Sequence, residues 1–584
     1  MKNIPPKLPL RFFRWYCHPK LVNHIEGDLL EEYGNRLKEK GKWRADLKFC
    51  VDVLLLFRRR IIRPMEGYQN LNSLGMFKNY IIIASRVMAR NKVQTAINTL
   101  GLMLGMVSVF LIMLYVRYET SYDTFYPEPQ NLYRITWETD NPQTRTPHPM
   151  AQAMVHDFPE VQSAVSLSPL WGPGLTRETF SFRNPLNNVQ FDEANLLAVD
   201  TTFFDVFGFP VLRGDGRKAL KNTNAILLSE SAAYKYFGSD DPIGKQLVVF
   251  PDSAVLQVEA VFKDVPAQSH FHFDFLISYI REKSFDPEDE YYSWADFGHY
   301  NYVRLQPGTD IKALESKLLP WLGKYIPNSD EKIRAAQANG ITFRLQPVND
   351  IHLKSHLRWE LKPNGNIEYV YIMSAAALLT LLIACINFMN LMTAKSTERA
   401  KEIGIRKTMG ALRQQLSAQF LSESVLMAFM AVALAVLVVQ VLLPLFQDFT
   451  GQVVQLNYQD VLVGSGLIGL LVGLGSGIYP AWIISSIQPQ SILKGKFKAS
   501  GRGVKLRNSL IVFQFIISMI LISGAVTIYD QLNFIQQKNL GFSKEAVLVV
   551  PIRNDELREK METLKAELLH VNGVSLVSAS SNMP

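Results

Sequence analysis

Five stretches of the chain are apolar over membrane length: Val93–Val116, Tyr369–Ala394, Val425–Phe446, Val461–Ile484 and Ser509–Tyr529. A helix rises about 1.5 Å per residue, so about twenty such residues cross a hydrocarbon core of about 30 Å. The pattern therefore predicts five spanning helices. Between the first two, residues 117–368 carry a different pattern. NLYRITWE, AILLS, VLQVEAVF, NYVRLQ and ITFRLQPV predict strands, and Ser231–Phe237 and Ile311–Tyr325 predict helices, which together make an α+β domain. Ahead of the first span, HPKLVNHIEGDLLEEYGNRLKEKGK predicts an amphipathic helix ending near Gly41, and WRADLKFCVDVLLLFRRRII predicts a second. Val53–Phe57 is too short to span and runs into Arg58, Arg59 and Arg60, a topogenic or membrane-surface charge run. Met76–Gln94 predicts an interfacial helix, apolar at Tyr80, Ile81 and Ile82 and basic at Lys78, Arg86, Arg90 and Lys92.

Charge then orients the spans. The net charge of +8 is modest, but its placement is not. Lys395, Arg399, Lys401, Arg406, Lys407 and Arg413 follow the second span. Lys494, Lys496, Lys498, Arg502, Lys505 and Arg507 follow the fourth. The loop 447–460 holds Asp448 and Asp460 and no Lys or Arg. Every basic cluster falls on one side, which is the cytoplasmic signature, so residues 117–368 lie outside. Basic charge at membrane edges argues against nucleic acid as a partner. Cysteines are confined to Cys17, Cys50 and Cys385, so no disulfide framework supports the outer domain.

The most specific stretch follows the second span. Glu402 precedes Arg406 by four residues, the favourable order for a helical ion pair. Gly410 stands where a helix would stop, and Leu412, Leu416 and Phe420 restart an apolar helical face. By spacing alone this is a solvated basic helix that sets topology. The run E-I-G-I-R-K-x-x-G-A, Glu402 to Ala411, with Q-F-L-x-E, Gln419 to Glu423, resembles the cytoplasmic loop of the MacB/FtsX-like permeases, membrane subunits of the type VII, mechanotransmitting ABC transporters. Gly477 to Gly495, G-I-Y-P-A-W-I-I-S-S-I-Q-P-Q-S-I-L-K-G, resembles the same permeases; its Pro480 lacks an N–H and would kink or end the helix. Outside, D-T-T-F-F-D-V-F-G-F-P-V-L-R-G-D (Asp200–Asp215), L-S-E-S-A-A-Y-K-Y-F-G (Leu228–Gly238), D-P-I-G-K (Asp241–Lys245) and V-P-A-Q-S-H-F-H-F-D (Val265–Asp274) resemble, in that order, the MacB-like periplasmic core. The N-terminal helices are similar to a permease prefix domain.

Other chemistry is thinly represented. No G-x-x-x-x-G-K-[ST] phosphate loop occurs, and Gly464-x-Gly466 sits inside an apolar span. His270-x-His272-x-Asp274 could put three ligand-type side chains on one face of a strand, with Phe271 and Phe273 opposite, but structural histidines and a strand alternation account for it far better. Tyr291, Tyr292 and Trp294 read as a loop anchor. Gly101-x-x-x-Gly105 would let helices approach, and Asn387, Asn390 and Gln514 are polar positions that interhelical hydrogen bonds satisfy. The spans lack the ionisable residues that mark an ion route.

The expected fold is an α-helical transmembrane bundle with a large α+β extracytoplasmic domain. The expected division is a cytoplasmic prefix at 1–75, an interfacial helix and first span at 76–117, and the outer core at 118–368. The FtsX-like domain with its coupling segment follows at 369–508, a fifth span at 509–529, and the start of a second outer domain at 530–584. After 509 the order basic stretch, span, strand repeats that of 86–137, and the resemblance implies that the chain is part of a longer protein of about eight spans. It further implies a multi-pass permease of the bacterial inner membrane with no cofactor of its own. ATP is bound by a separate ABC ATPase subunit, the permease works as a dimer, and a periplasmic adaptor and outer-membrane channel are potential partners. The resemblance places ATPase coupling on Glu402, Gly404, Ile405, Arg406, Lys407 and Gly410, with the basic residues toward acidic groups of the ATPase. The cargo classes of the family include macrolides, antimicrobial peptides and lipoproteins. The alternatives are an FtsX-like signalling protein that activates an envelope enzyme and a conducting secondary transporter.

Overall fold

The computed structural model describes residues 5–17, 21–56, 73–169, 180–250, 253–279, 294, 297–326, 329–452, 458–486, 501–538, 547–550, 557 and 560–580. Its contacts divide between two compact units. One comprises Met1–Met103, Cys385–Ala433 and Val463–Ile511, and the other Leu104–Ala384, Leu434–Leu462 and Val512–Pro584.

Three helices open the chain: α1 (Lys7–Tyr16), α2 (Val22–Lys40) and α3 (Lys42–Leu55). Phe13, Cys17, Leu29, Tyr33, Ala45, Phe49 and Val53 form their common core. The pattern predicts α2 and α3; Gly41, at φ +77°, ends α2 in a backbone conformation that glycine adopts without strain. The arginine run 58–60 lies outside the described residues. α4 (Ser73–Arg90) covers most of the stretch expected to be an interfacial helix, and α5 (Lys92–Thr120) contains the first apolar span.

Beyond α5 a single mixed sheet of twelve strands forms. Its strands are β1 (Leu132–Glu138), β2 (Val161–Pro169), β3 (Phe180–Arg183), β4 (Gln190–Glu193), β5 (Leu196–Val199), β6 (Val211–Gly214), β7 (Ala225–Ser229), β8 (Gln246–Phe250), β9 (Ala254–Phe262), β10 (Phe275–Ser278), β11 (Tyr300–Leu305) and β12 (Thr342–Pro347). The order is β12-β1-β11-β2-β5-β10-β7-β9-β8-β3-β4, with β6 also on β9. Among the described strands, β5–β10 and β7–β9 pair in parallel and the others antiparallel. Helices α6 (Met150–Asp157), α7 (Phe203–Phe207), α8 (Gly216–Ala219), α9 (Glu230–Phe237), α10 (Ile311–Leu322), α11 (Asp330–Ala338) and α12 (Val348–Lys354) complete the domain.

The central strands are buried on both faces, which explains why AILLS is apolar throughout rather than alternating. Leu197, Val199, Leu227 and Leu276 face one core, with Phe203, Phe207, Phe271 and Phe273. Leu196, Ala198, Ile226, Leu228, Phe275 and Ile277 face the other, with Tyr236 and Phe237 of α9. The phenylalanine-rich motif thus supplies an aromatic core. Gly208 ends α7 at φ +69°, and a Cβ there would lie 2.4 Å from Pro127 Cγ.

The His270–Asp274 stretch is not a strand. It is irregular chain between β9 and β10, and no group of three metal-ligating side chains occurs among the described residues. The buried carboxylate of Asp123 displaces the expected alternation. It accepts from His270 Nδ1 at 2.8 Å and from the His270 backbone N–H at 3.1 Å, and His270 Nε2 lies 2.8 Å from the Tyr302 hydroxyl. Trp294 stacks on Tyr325 at 4.3 Å and meets Trp321 edge-on, as a loop anchor does; Tyr291 and Tyr292 lie outside the described residues. Arg134 on β1 is fully buried and grips Glu360 with two bonds of 2.7 and 2.9 Å.

The remaining long helices are α13 (Ile367–Thr408), α14 (Arg413–Thr450), α15 (Tyr458–Ser486) and α16 (Gly501–Gln537), followed by the short α17 (Met561–Leu569). Among the described residues, five helices are long and apolar enough to cross a membrane, at Lys92–Thr120, Ile367–Ala394, Arg413–Thr450, Val461–Ile483 and Val504–Gln537. These are the five stretches that the pattern predicts, so the chain is a multi-pass membrane protein. Small residues set the packing between its helices. Gly105 of α5 lies so close to α13 that a Cβ would stand 2.6 Å from that of Ala384. On α15, a Cβ at Gly473 would fall 2.7 Å from Val425 Cα, and one at Gly477 2.7 Å from Ser424 Cβ. Pro480 does not end α15, which continues to Ser486. A single lost N–H is tolerated in a packed membrane helix where neighbours and local adjustment satisfy the freed carbonyl.

Two outcomes test this packing. Arg134→Met leaves the partly buried Glu360 with only Ser355 as a partner and lowers the unfolding free energy of the outer domain by about 3 kcal/mol, measured as protease resistance of the full chain against denaturant. Gly473→Ala pushes α15 off α14 and costs about 1–3 kcal/mol, read as a lower melting temperature in detergent. Gly475→Ala, where nothing lies within 4 Å, leaves that temperature unchanged.

Candidate functional site

The turn between α13 and α14 collects the residues singled out in the sequence. α13 ends in a Schellman arrangement, with Ala411 N–H donating to Arg406 C=O at 3.0 Å and Gly410 N–H to Lys407 C=O at 3.1 Å. This needs Gly410 at φ +94°. Immediately behind the turn, Ile403 packs with Leu416 and Phe420 of α14 and Ala481 of α15. The reversal therefore rests on a small apolar core rather than projecting as a free loop.

Polar side chains bind the turn to its neighbours. Arg406 Nη2 meets Glu402 Oε1 at 2.5 Å, the pair that the four-residue spacing predicts. Arg406 Nη1 donates to Gln419 Oε1 at 2.9 Å, and Gln419 Nε2 donates to Glu423 Oε1 at 3.4 Å. Glu423 is fully buried. The two halves of the motif, one on each helix, are thus a single hydrogen-bonded chain that runs from an exposed carboxylate to a buried one. Lys407 is turned inward: Nζ donates to Ser485 C=O at 2.6 Å, and Arg413 Nε donates to Ser485 Oγ at 3.3 Å. Two cations at the C-terminal end of α15 suit its helix dipole. Burial, and then the neighbouring charge of Arg413, lowers the Lys407 pKa.

The turn presents three large apolar residues outward, among the exposed Thr408, Arg413 and Gln414. Met409 is 82% exposed, Leu412 62% and Ile405 47%. Gly404 is buried. The sequence reading assigns a coupling role to Ile405 but not to Met409, and it sets Leu412 on one helical face with Leu416 and Phe420; Leu412 instead precedes α14 and is exposed while the other two are buried. The side chains of residues 395–401, with Lys395, Arg399 and Lys401 among them, lie outside the description.

A second constellation went unseen in the sequence. Glu119, in the last turn of α5, is buried and accepts from His352 Nε2 at 2.7 Å and from Gln452 Nε2 at 2.6 Å. His352 belongs to α12 of the outer domain, and its ring stacks on Tyr122 at 3.4 Å, with 3° between the planes. Gln452 lies two residues beyond the end of α14. Gly365, two residues before α13, passes so near that a Cβ would sit 2.9 Å from Glu119 Oε2 and 3.0 Å from His352 Nε2. One carboxylate thereby ties the end of α5, the approach to α13 and the exit of α14 to the outer domain. A cavity of about 480 Å³ opens beside it, bordered by Tyr118, Tyr122, His272, Lys362 and Gln452.

Comparison with known proteins follows this geometry. Residues 95–320 match the MacB-like periplasmic core domain, and residues 374–489 match the FtsX-like permease C-terminal domain. A macrolide export ATP-binding/permease protein MacB of Syntrophobacter fumaroxidans is 33% identical over 118 residues, 20% of this chain and 16% of that protein. MacB 1 of Yersinia pestis bv. Antiqua is 23% identical over 394 residues, 64% of this chain and 54% of its own length. The chain thus spans about half the length, or less, of the curated relatives it matches. The crystal structure of the periplasmic region of MacB from Actinobacillus actinomycetemcomitans covers 36% of this chain and 94% of its own, at 16% identity and a TM-score of 0.26. The two family models together account for more than half of the 584 residues, and the chain belongs to the MacB/FtsX-like ABC transporter permeases.

Proposed function

We propose that this chain is a permease of the bacterial inner membrane that relays ATP-driven motion from a cytoplasmic ABC ATPase to its extracytoplasmic domain. There the motion extrudes a substrate of the macrolide, peptide or lipoprotein kind. The observation that carries this reading is α13. One helix of 42 residues, Ile367–Thr408, carries both an apolar span and the segment that ends at the Gly410 turn. A continuous helix keeps its backbone hydrogen bonds within itself, as a segment that crosses lipid must.

The turn is the input end. Ile405, Met409 and Leu412 would fill an apolar groove of the ATPase. The Glu402–Arg406–Gln419–Glu423 chain and the Lys407 bond to Ser485 would make α13, α14 and α15 move as one body. Lys407 and Arg406 serve this reading as internal braces. The Glu119–His352 junction is the output end. Two permeases side by side would present two such turns to an ATPase dimer, and an adaptor and outer-membrane channel would extend the path beyond the outer domain.

The test uses the full chain with its cognate ATPase in proteoliposomes. Met409→Asp with Leu412→Asp lowers permease-stimulated ATP hydrolysis about tenfold or more, because two charges cannot enter an apolar groove, while membrane insertion is unchanged. Glu402→Ala and Arg406→Ala lower stimulation less, since the 402–406 pair is exposed. Normal stimulated turnover in all of them would refute the input end. His352→Ala and Glu119→Gln leave stimulated hydrolysis in place but abolish the ATP-dependent distance change between spin labels on the outer domains. An unchanged distance response in both would refute the output end.

A further inference from the structure

The N-terminal helices carry an unpartnered face for which the relay gives no use. On α3, Ala45, Phe49 and Val53 are buried in the three-helix core. The opposite side is also apolar: Trp43 is 77% exposed, Leu47 58%, Val51 44% and Leu55 58%. These four recur every fourth residue, so they form one stripe along the helix. Arg44 and Lys48 are exposed on the same arc, and Lys42 stands exposed at its start. Both carboxylates of α3 are used elsewhere. Asp46 accepts from the Tyr33 hydroxyl at 2.6 Å, and Asp52 pairs with Arg36, both partners on α2. The outward face is therefore apolar and cationic with no acid of its own.

We infer that this face of α3 lies on the bilayer and binds anionic phospholipid at the cytoplasmic surface. The chemistry is that of an interfacial helix. An indole and three aliphatic side chains enter the headgroup–acyl boundary, and Lys and Arg extend their charges to the phosphates. Charge complementarity selects the occupant, because the cytoplasmic leaflet is negative and attracts each nearby Lys or Arg. Chain length agrees. α3 ends at Leu55 and α4, the interfacial helix that leads into the first span, begins at Ser73. At about 3.3–3.6 Å per residue even a fully extended connection keeps the face within about 60 Å of the membrane, and the sequence of that connection carries Arg58, Arg59 and Arg60 just after Leu56 and Phe57. The prefix then serves as a lipid-held foot beside the helices that move.

Nitroxide labels on the full chain in nanodiscs test this, with Cys17, Cys50 and Cys385 replaced by alanine. Leu47→Cys reports the stripe, and Glu31→Cys, an exposed position on α2, is the control. In phosphatidylcholine discs containing phosphatidylglycerol, the label at position 47 collides preferentially with oxygen, and that at 31 with a water-soluble nickel chelate. Omitting phosphatidylglycerol, or adding Arg44→Glu with Lys48→Glu, reverses the preference at 47. Equal nickel accessibility at 47 and 31 in the anionic discs would overturn the inference. So would exclusion of both reagents at 47 in detergent, the sign of a protein partner or a second copy. Circular dichroism and intact core packing in Leu47→Cys separate either result from unfolding of the bundle.

Discussion

Glu119 is the constraint on which the rest of the structure turns. A carboxylate buried at the end of a spanning helix is costly unless its lone pairs are filled, and here His352 and Gln452 fill them from two separate elements. Breaking the arrangement would strand a charge, so the elements that meet there are held in one geometry. A folded domain joined to helices by flexible linkers would absorb their motion. In the proposed relay, a domain joined through a closed polar knot would inherit it.

The same economy governs the opposite end. The turn after α13 is short, glycine-ended and backed by Ile403, Leu416, Phe420 and Ala481. Arg406, Lys407 and Arg413 bind to neighbouring helices, and Ile405, Met409 and Leu412 face out. This division suits a surface that must be both stiff and adhesive. Within the membrane the helices meet through glycine and alanine, where backbone proximity and dispersion replace the hydrophobic effect that lipid cannot supply. The outer domain builds its cohesion differently, from a sheet buried on both faces and a cluster of phenylalanines.

Much of this was legible in the sequence because it is local. Five spans follow from apolar length, and Gly41 and Gly410 mark helix ends by their backbone freedom. The Glu402–Arg406 pair follows from spacing, and the strands at 225–229 and 300–305 from their runs of apolar and β-branched or aromatic residues. The short strands β3 to β6 did not announce themselves, since four residues carry too little period to read. The His270–Asp274 stretch looked like a strand because phenylalanine and polar residues alternate; a buried contact with Asp123, far away in the chain, bends it otherwise. Glu119 and His352 stand 233 residues apart, and nothing in either neighbourhood signals the other. Pairings of that kind exist only once the fold has formed.

The central claim is that the apolar turn and the sheet domain lie on opposite sides of the bilayer, joined by α13. Leu186, 72% exposed on the outer domain, and Met409, 82% exposed on the turn, offer two reporters. With each replaced by cysteine in turn, in a chain otherwise free of cysteine, a membrane-impermeant maleimide should label Leu186→Cys once its outer face is accessible. It should label Met409→Cys only after the inner membrane is breached. Labelling of both positions from the same side of an intact membrane would contradict the account.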